Sequence, residues 1–185
     1  MESQNLRKYF LSGTLGLCIF GLIASVLSAL WLILKFSFDI GFVKIYLIEV
    51  ILLLAGPILL LSTLKNTIKT YFLLAKLKRN NSVSDVYRSF SNTIGNISFN
   101  DNEVIVSDNY LFIKGEVAVI PYQQLKKVYI KYLKNDKKEI TGIQLYCDTT
   151  KKKKIKIFPN IKNKNELVYF IENIKQRNSS IIFEL

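Results

Sequence analysis

Histidine is absent from the 185-residue sequence. That removes the usual general base and the commonest metal ligand. Two cysteines occur; Cys18 lies in an apolar stretch and Cys147 far along the chain. Such a pair makes neither a disulfide framework nor a zinc-binding spacing, and a reducing compartment fits the C-terminal part. The eight glycines are scattered, and none falls into G-x-G-x-x-G or G-x-x-x-x-G-K, so no phosphate-cradling loop is written in the chain. Without histidine there is no Ser–His or Cys–His pair to activate a nucleophile, and the carboxylates occur singly. The sequence therefore predicts a non-enzymatic protein with no cofactor and no metal.

What is present is unevenly distributed. Residues 10–34 carry no charge at all, and residues 45–64 carry only Glu49. The remainder from Lys65 onward holds 22 of the 26 Lys+Arg and 11 of the 14 Asp+Glu. A basic excess of this kind suits an anionic partner or simply a solvated surface.

An apolar stretch of about 20 residues is what a helix needs to span a bilayer core. "FLSGTLGLCIFGLIASVLSALWLIL" and "IYLIEVILLLAGPILLLSTL" both reach that length, and the short "KFSFDIGFVK" between them suggests an antiparallel hairpin. A cleaved signal sequence is the competing reading, but the apolar run is longer than the usual signal core and a second apolar run follows at once. Arg7 and Lys8 before the first run, and Lys65, Lys69, Lys76, Lys78 and Arg79 after the second, predict that both termini are cytoplasmic. Glu49 is an ionisable group inside an apolar run, read either as an interfacial carboxylate or as an ion site. Gly21, Ser25 and Ala29 recur every fourth residue and line one helix face, for packing within the hairpin or for self-association into a homo-oligomer. An oligomeric transporter or channel subunit built around Glu49 is one functional reading of these features.

After Leu64 the helical period continues through "KNTIKTYFLLAKLKRNNSV" as a basic amphipathic segment. From residue 94 the period becomes alternating. "NISFN", "EVIVSD", "YLFIKG", "VAVIPY", "LKKVYIKYL", "EITGIQLYC" and "KKIKIFP" are short β-rich runs divided by Asn, Asp, Gly and Lys turns. "KNKNELVYFIENIKQRN" returns to a helix, with Leu167, Phe170, Ile171 and Ile174 as its apolar stripe and Asn163 or Asn165 as its cap.

The series "SDNYLFIKG … VIPYQQLKKVYI … GIQLY … KKIKIFP … NELVYFIENIKQRN" resembles the bacterial pleckstrin-homology-like (PH-like) domains, which often follow two N-terminal membrane helices. The resemblance covers residues 94–178, and "IPYQQLKKVYI" is its most specific part. It implies a PH-like fold, no enzymatic activity, and a role as a membrane-associated scaffold, regulator or immunity-type factor. The expected architecture is thus a transmembrane hairpin (1–64), a juxtamembrane helix and linker (65–93) and a cytoplasmic α+β PH-like domain (94–185). That domain should hold about seven antiparallel strands in a bent sheet or partial barrel, capped by a C-terminal helix. The placement implied is a multi-pass protein of the bacterial cell membrane. Phosphoinositide-binding PH domains carry basic residues between their first two strands, whereas here "FNDNEV" supplies Asp101 and Glu103.

The remaining candidate site is Lys151, Lys152, Lys153 and Lys154, with Lys137 and Lys138 expected nearby. Alternation puts Ile155 and Ile157 inward and Lys154 and Lys156 outward. The run is read as a solvated turn, or as a contact for an acidic protein partner or anionic lipid headgroups. Tyr110, Tyr122, Tyr129, Tyr132 and Tyr146 beside lysines suggest a base-stacking surface as one reading. In strands, interleaved Tyr and Lys more often make an amphipathic sheet, and nucleic acid is not expected.

Overall fold

In the computed structural model, which describes residues 2–12, 14–37, 47–80, 82–92, 95–136, 138–161 and 163–185, the first apolar run is not one helix. Helix α1 spans Glu2–Leu11 and ends in a turn at Ser12, whose hydroxyl donates to the Tyr9 carbonyl at 3.0 Å. Helix α2 spans Thr14–Ser37. The second apolar run is the front of a 33-residue helix α3, Leu47–Arg79, which passes through Pro57 and carries on into Lys65, Lys69, Lys76, Lys78 and Arg79. Among the described residues no helix is long and apolar enough to cross a membrane. The transmembrane hairpin is therefore corrected, and with it the multi-pass bacterial membrane placement with both termini cytoplasmic. Neither apolar run coincides with one helix: the first begins in α1 and resumes in α2 after the turn at Ser12, and the second merges into a lysine-bearing half. The expected hairpin loop, residues 38–46, lies outside the described residues.

The chain divides into two compact units, Arg7–Phe72 on the one hand and Met1–Leu6 with Leu73–Leu185 on the other. In the first, Ser25 and Ser28 donate back to the carbonyls of Gly21 and Ala24 at 2.9 and 2.8 Å, so their hydroxyls are satisfied within α2. Thr67 and Thr70 do the same in α3.

The second unit holds the β structure. Helix α4, Val83–Ser91, precedes strands β1 (Ile97–Phe99), β2 (Val104–Val106), β3 (Tyr110–Ile113) and β4 (Ala118–Pro121). A 3-10 turn at Tyr122–Gln124 leads into β5 (Leu125–Lys134), β6 (Ile140–Thr149) and β7 (Ile155–Phe158). Helix α5 (Lys164–Arg177) and strand β8 (Ile182–Glu184) complete it. The seven alternating runs each form a strand, but not one bent sheet of seven. They make two four-stranded sheets, β1-β2-β3-β4 and β7-β6-β5-β8. The eighth strand, parallel to β5, pairs Val128 with Phe183 and Tyr129 with Glu184. It is three residues long and is not among the β-rich runs read from the sequence.

Alternation explains the core. Val104 and Val106 in β2, Leu145 and Cys147 in β6, and Ile155 and Ile157 in β7 are all buried, with intervening residues turned outward. Phe170, Ile171 and Ile174 of α5 close the same core. The Asn163 side chain caps α5 by accepting from the Asn165 N–H at 2.9 Å. On the other side of the first sheet, α4 lays Phe90 edge-on against Phe112 at 5.2 Å, and the buried hydroxyls of Ser89 and Ser107 meet at 2.7 Å. Ser82 sits at the N-cap of α4 without a capping hydrogen bond.

Candidate functional site

The 151–154 lysine run lies on the turn between β6 and β7, whose strands pair Cys147 with Ile155 and Tyr146 with Lys156. The turn is built by Thr149. Its buried hydroxyl accepts the N–H groups of Lys151 (3.3 Å) and Lys152 (2.9 Å) and donates to the Lys152 carbonyl at 2.9 Å. The Asp148 carboxylate accepts the N–H of Lys154 at 2.7 Å, holding that residue in the left-handed region at φ 57°. All four lysines are exposed. Lys152 Nζ lies 3.7 Å from the Glu116 carboxylate, an exposed pair of small energetic weight. Because the amides of Lys151, Lys152 and Lys154 are already spent, the tip offers ammonium groups and no backbone cradle.

The strands carry a second basic feature, continuous with the tip, that sequence reasoning treated only as an amphipathic sheet. On the outer face of the second sheet Tyr129 pairs with Tyr146, and their rings stack with centroids 5.8 Å apart and planes 17° apart. Lys127 Nζ stands 5.4 Å from the Tyr129 ring and Lys156 Nζ 5.9 Å from the Tyr146 ring. The row across β5, β6 and β7 thus reads Lys127, Tyr129, Tyr146, Lys156, each ammonium attracted by an aromatic face. Glu184 of β8 ends the row, its carboxylate 2.6 Å from Lys127 Nζ. The hydroxyls are tied as well, Tyr129 to Asp148 at 3.4 Å and Tyr146 to Gln144 at 2.8 Å. Burial, and next to it the Asp148 carboxylate, push the Tyr129 phenol above its ordinary pKa. Hairpin register comes nearest to finding this row, but regular pairing from the turn at 135–139 would set 129 opposite 145. The register shift between Leu133 and Lys134 moves it to face 146, so the turn alone does not announce the row.

Lys138 is exposed at that turn with φ 62°, and Lys137 lies outside the described residues. The expected closeness of Lys138 to the 151–154 run is not found. The two turns sit at opposite ends of the ten-residue β6, roughly 30 Å apart at the usual rise. Gly21 is buried and Ser25 and Ala29 are half-buried, whereas Phe20, Leu27 and Ile33 are exposed, so the small-residue face is the covered one. Glu49 belongs to α3, but its side chain lies outside the described residues.

Arg177 lines a shallow cavity of about 400 Å³ with Asp108, Asn109, Tyr122, Gln123, Asn178 and Ser180. Its guanidinium donates to the carbonyls of Ser107 (2.7 Å), Asn173 (3.1 Å) and Gly95 (3.2 Å), an arrangement that fastens loops together. Tyr122 is buried, its hydroxyl donating to the Ser107 and Tyr110 carbonyls, and burial raises its pKa. Among the described residues no group of three or more His, Cys, Asp or Glu side chains is arranged to hold a metal. No family model matches the chain, and neither a curated protein nor a solved structure does.

Proposed function

We propose that this chain is a non-catalytic binding protein whose β-rich unit is a PH-like module contacting an acidic surface of another protein through the 151–154 lysine run. Two four-stranded sheets closed by a C-terminal helix support the PH-like reading. The lysine turn carries the functional one: four exposed ammonium groups stand on a backbone fixed by Thr149 and Asp148. A contact gains affinity when its backbone is already ordered. The spent amides favour a spread of carboxylates over a single bound phosphate, which wants converging N–H donors. A scaffold, regulator or immunity-type role is the work such a module would do.

The test is binding of the purified full chain to poly-L-glutamate, with Lys151→Gln, Lys152→Gln and Lys153→Gln combined in one variant. The variant should bind about tenfold more weakly at low salt, at up to about 1 kcal/mol for each exposed charge. The difference should vanish near 0.5 M salt, where screening shortens to a few ångströms. Equal binding of both proteins at low salt would end this reading. Vesicles containing phosphatidylserine serve as the parallel probe; binding to them and not to poly-L-glutamate would replace the protein partner by a lipid surface.

A further inference from the structure

We infer that the outer face of the second sheet, with the Lys127–Tyr129–Tyr146–Lys156 row at its centre, is the seat for an extended acidic segment of the partner. This rests on the reading of the lysine turn as an acidic-protein contact, and it assigns the larger part of the surface to the face beside it.

The row itself shows how a carboxylate is received. Glu184 of β8 lies against Lys127 at 2.6 Å while that ammonium stays over the Tyr129 ring. At the far end Lys156 has the same aromatic support from Tyr146 and, among the described residues, no carboxylate partner. Lys131, two residues beyond Tyr129 on the same face, is exposed opposite Gln144 and is also without a carboxylate among the described residues. Among the described residues the acidic groups on this face are Glu184 and Asp148, and one oxygen of Asp148 accepts both the Tyr129 hydroxyl and the Lys154 amide. The face therefore carries three lysines against two carboxylates, with Lys131 and Lys156 in no ion pair among the described residues, and is continuous with the exposed tip.

The chemistry of the occupant follows from what the face cannot offer. Each tyrosine has one ring face against the other tyrosine and an ammonium over it. A nucleobase finds no open platform to stack on. Carboxylates, in contrast, need only the outward side of an ammonium already held in place, and an aromatic support lowers the entropy lost in holding it. With strands about 4.8 Å apart and a rise of about 3.3 Å per residue, Lys131 and Lys156 lie roughly 12 Å apart. An extended peptide spans that distance in three to four residues, so two acidic side chains at that separation would meet both.

The experiment uses the full chain, poly-L-glutamate as probe, and two charge-matched double variants. Lys131→Gln with Lys156→Gln alters the face; Lys134→Gln with Lys138→Gln removes equal charge at the distal hairpin end. The first should weaken binding about fivefold and the second less than twofold. Ring-proton signals of Tyr129 and Tyr146 should shift on titration, and the Tyr146 shift should be lost with Lys156→Gln. Equal effects of the two double variants, or unmoved tyrosine signals, would overturn the face as a seat. If the 151–153 variant still loses affinity in that case, the lysine-turn reading survives alone. A poly-deoxythymidine strand competing as strongly as poly-L-glutamate would overturn the assignment to an acidic peptide.

Discussion

Arg177 Nε donates to the carbonyl of Ser107 at 2.7 Å, joining residues 70 positions apart. The same oxygen accepts the Tyr122 hydroxyl at 2.9 Å, so the end of α5, the turn after β2 and the turn after β4 meet at one atom. From sequence alone Arg177 is a basic residue favourably placed in the last turn of a helix. Its three-way grip cannot be read there, because apart from the Asn173 side-chain oxygen the acceptors are backbone carbonyls, which carry no sequence signal. Arg177→Ala should cost about 1.5–3 kcal/mol, the range for hydrogen bonds made by a charged group. Arg177→Lys should recover less than half of that, since an ammonium lacks the planar fork. Urea unfolding of the full chain, followed by circular dichroism, measures both.

Cys147 is wholly buried in β6, and burial first, then the Asp148 carboxylate, push its thiol up to about 12 from an ordinary value of 9.0. The folded state therefore holds its proton more tightly than the unfolded state. That contribution is fully present below about pH 9 and is lost as pH rises toward 12. Stability should fall across that window by a few kcal/mol, and Cys147→Ser or Cys147→Ala should flatten the fall. Peptide-resolved alkylation at pH 8 should leave Cys147 unmodified until denaturant is added; rapid modification in native buffer would contradict the burial.

Thr149 organises the lysine turn through a single hydroxyl that serves three hydrogen bonds. Thr149→Val keeps the shape and removes the oxygen. It should destabilise by about 1–3 kcal/mol, the cost of unmade bonds in a buried setting, and speed hydrogen exchange at the Lys151 and Lys152 amides. Thr149→Ser should retain those bonds. If exchange at these amides is the same in the Val variant, the hydroxyl does not hold the turn.

How much was legible depends on the kind of force at each place. Ile155, Lys156 and Ile157 alternate in sequence and alternate in burial, because period-two patterning is written residue by residue. The stripe of α5 and its Asn163 cap were equally visible. Length and hydropathy misled at residues 10–34, where a turn at Ser12 divides the run; a local break needs only one residue to leave the helical region. Lys138 and the 151–154 run looked close because both are basic turns, but β6 stands between them. The Tyr129–Tyr146 stack depends on strand pairing, and register is a property of two segments that neither shows alone.

Phe170 of α5 is fully buried and meets a phenylalanine from each sheet. Phe99 of β1 lies 5.2 Å away at 88° and Phe158 of β7 5.0 Å away at 72°, both edge-to-face. Phe99 and Phe158 also meet each other, 6.4 Å apart at 63°, so three rings join sheets that share no strand. Phe170→Ala should cost about 3–5 kcal/mol, the transfer term plus the cavity left between two rings that cannot both move in. Phe170→Leu refills most of the volume and loses chiefly the edge contacts, each of about 0.5–1.5 kcal/mol, so its cost should be roughly half as large. The position also separates global from local effects. Loss at Phe170 should expose amides of β1 and β7 to exchange together, whereas Val168→Ala on the exposed side of α5 should leave both strands protected. Protection of β7 that survives Phe170→Ala while β1 opens would show that the sheets are held together elsewhere.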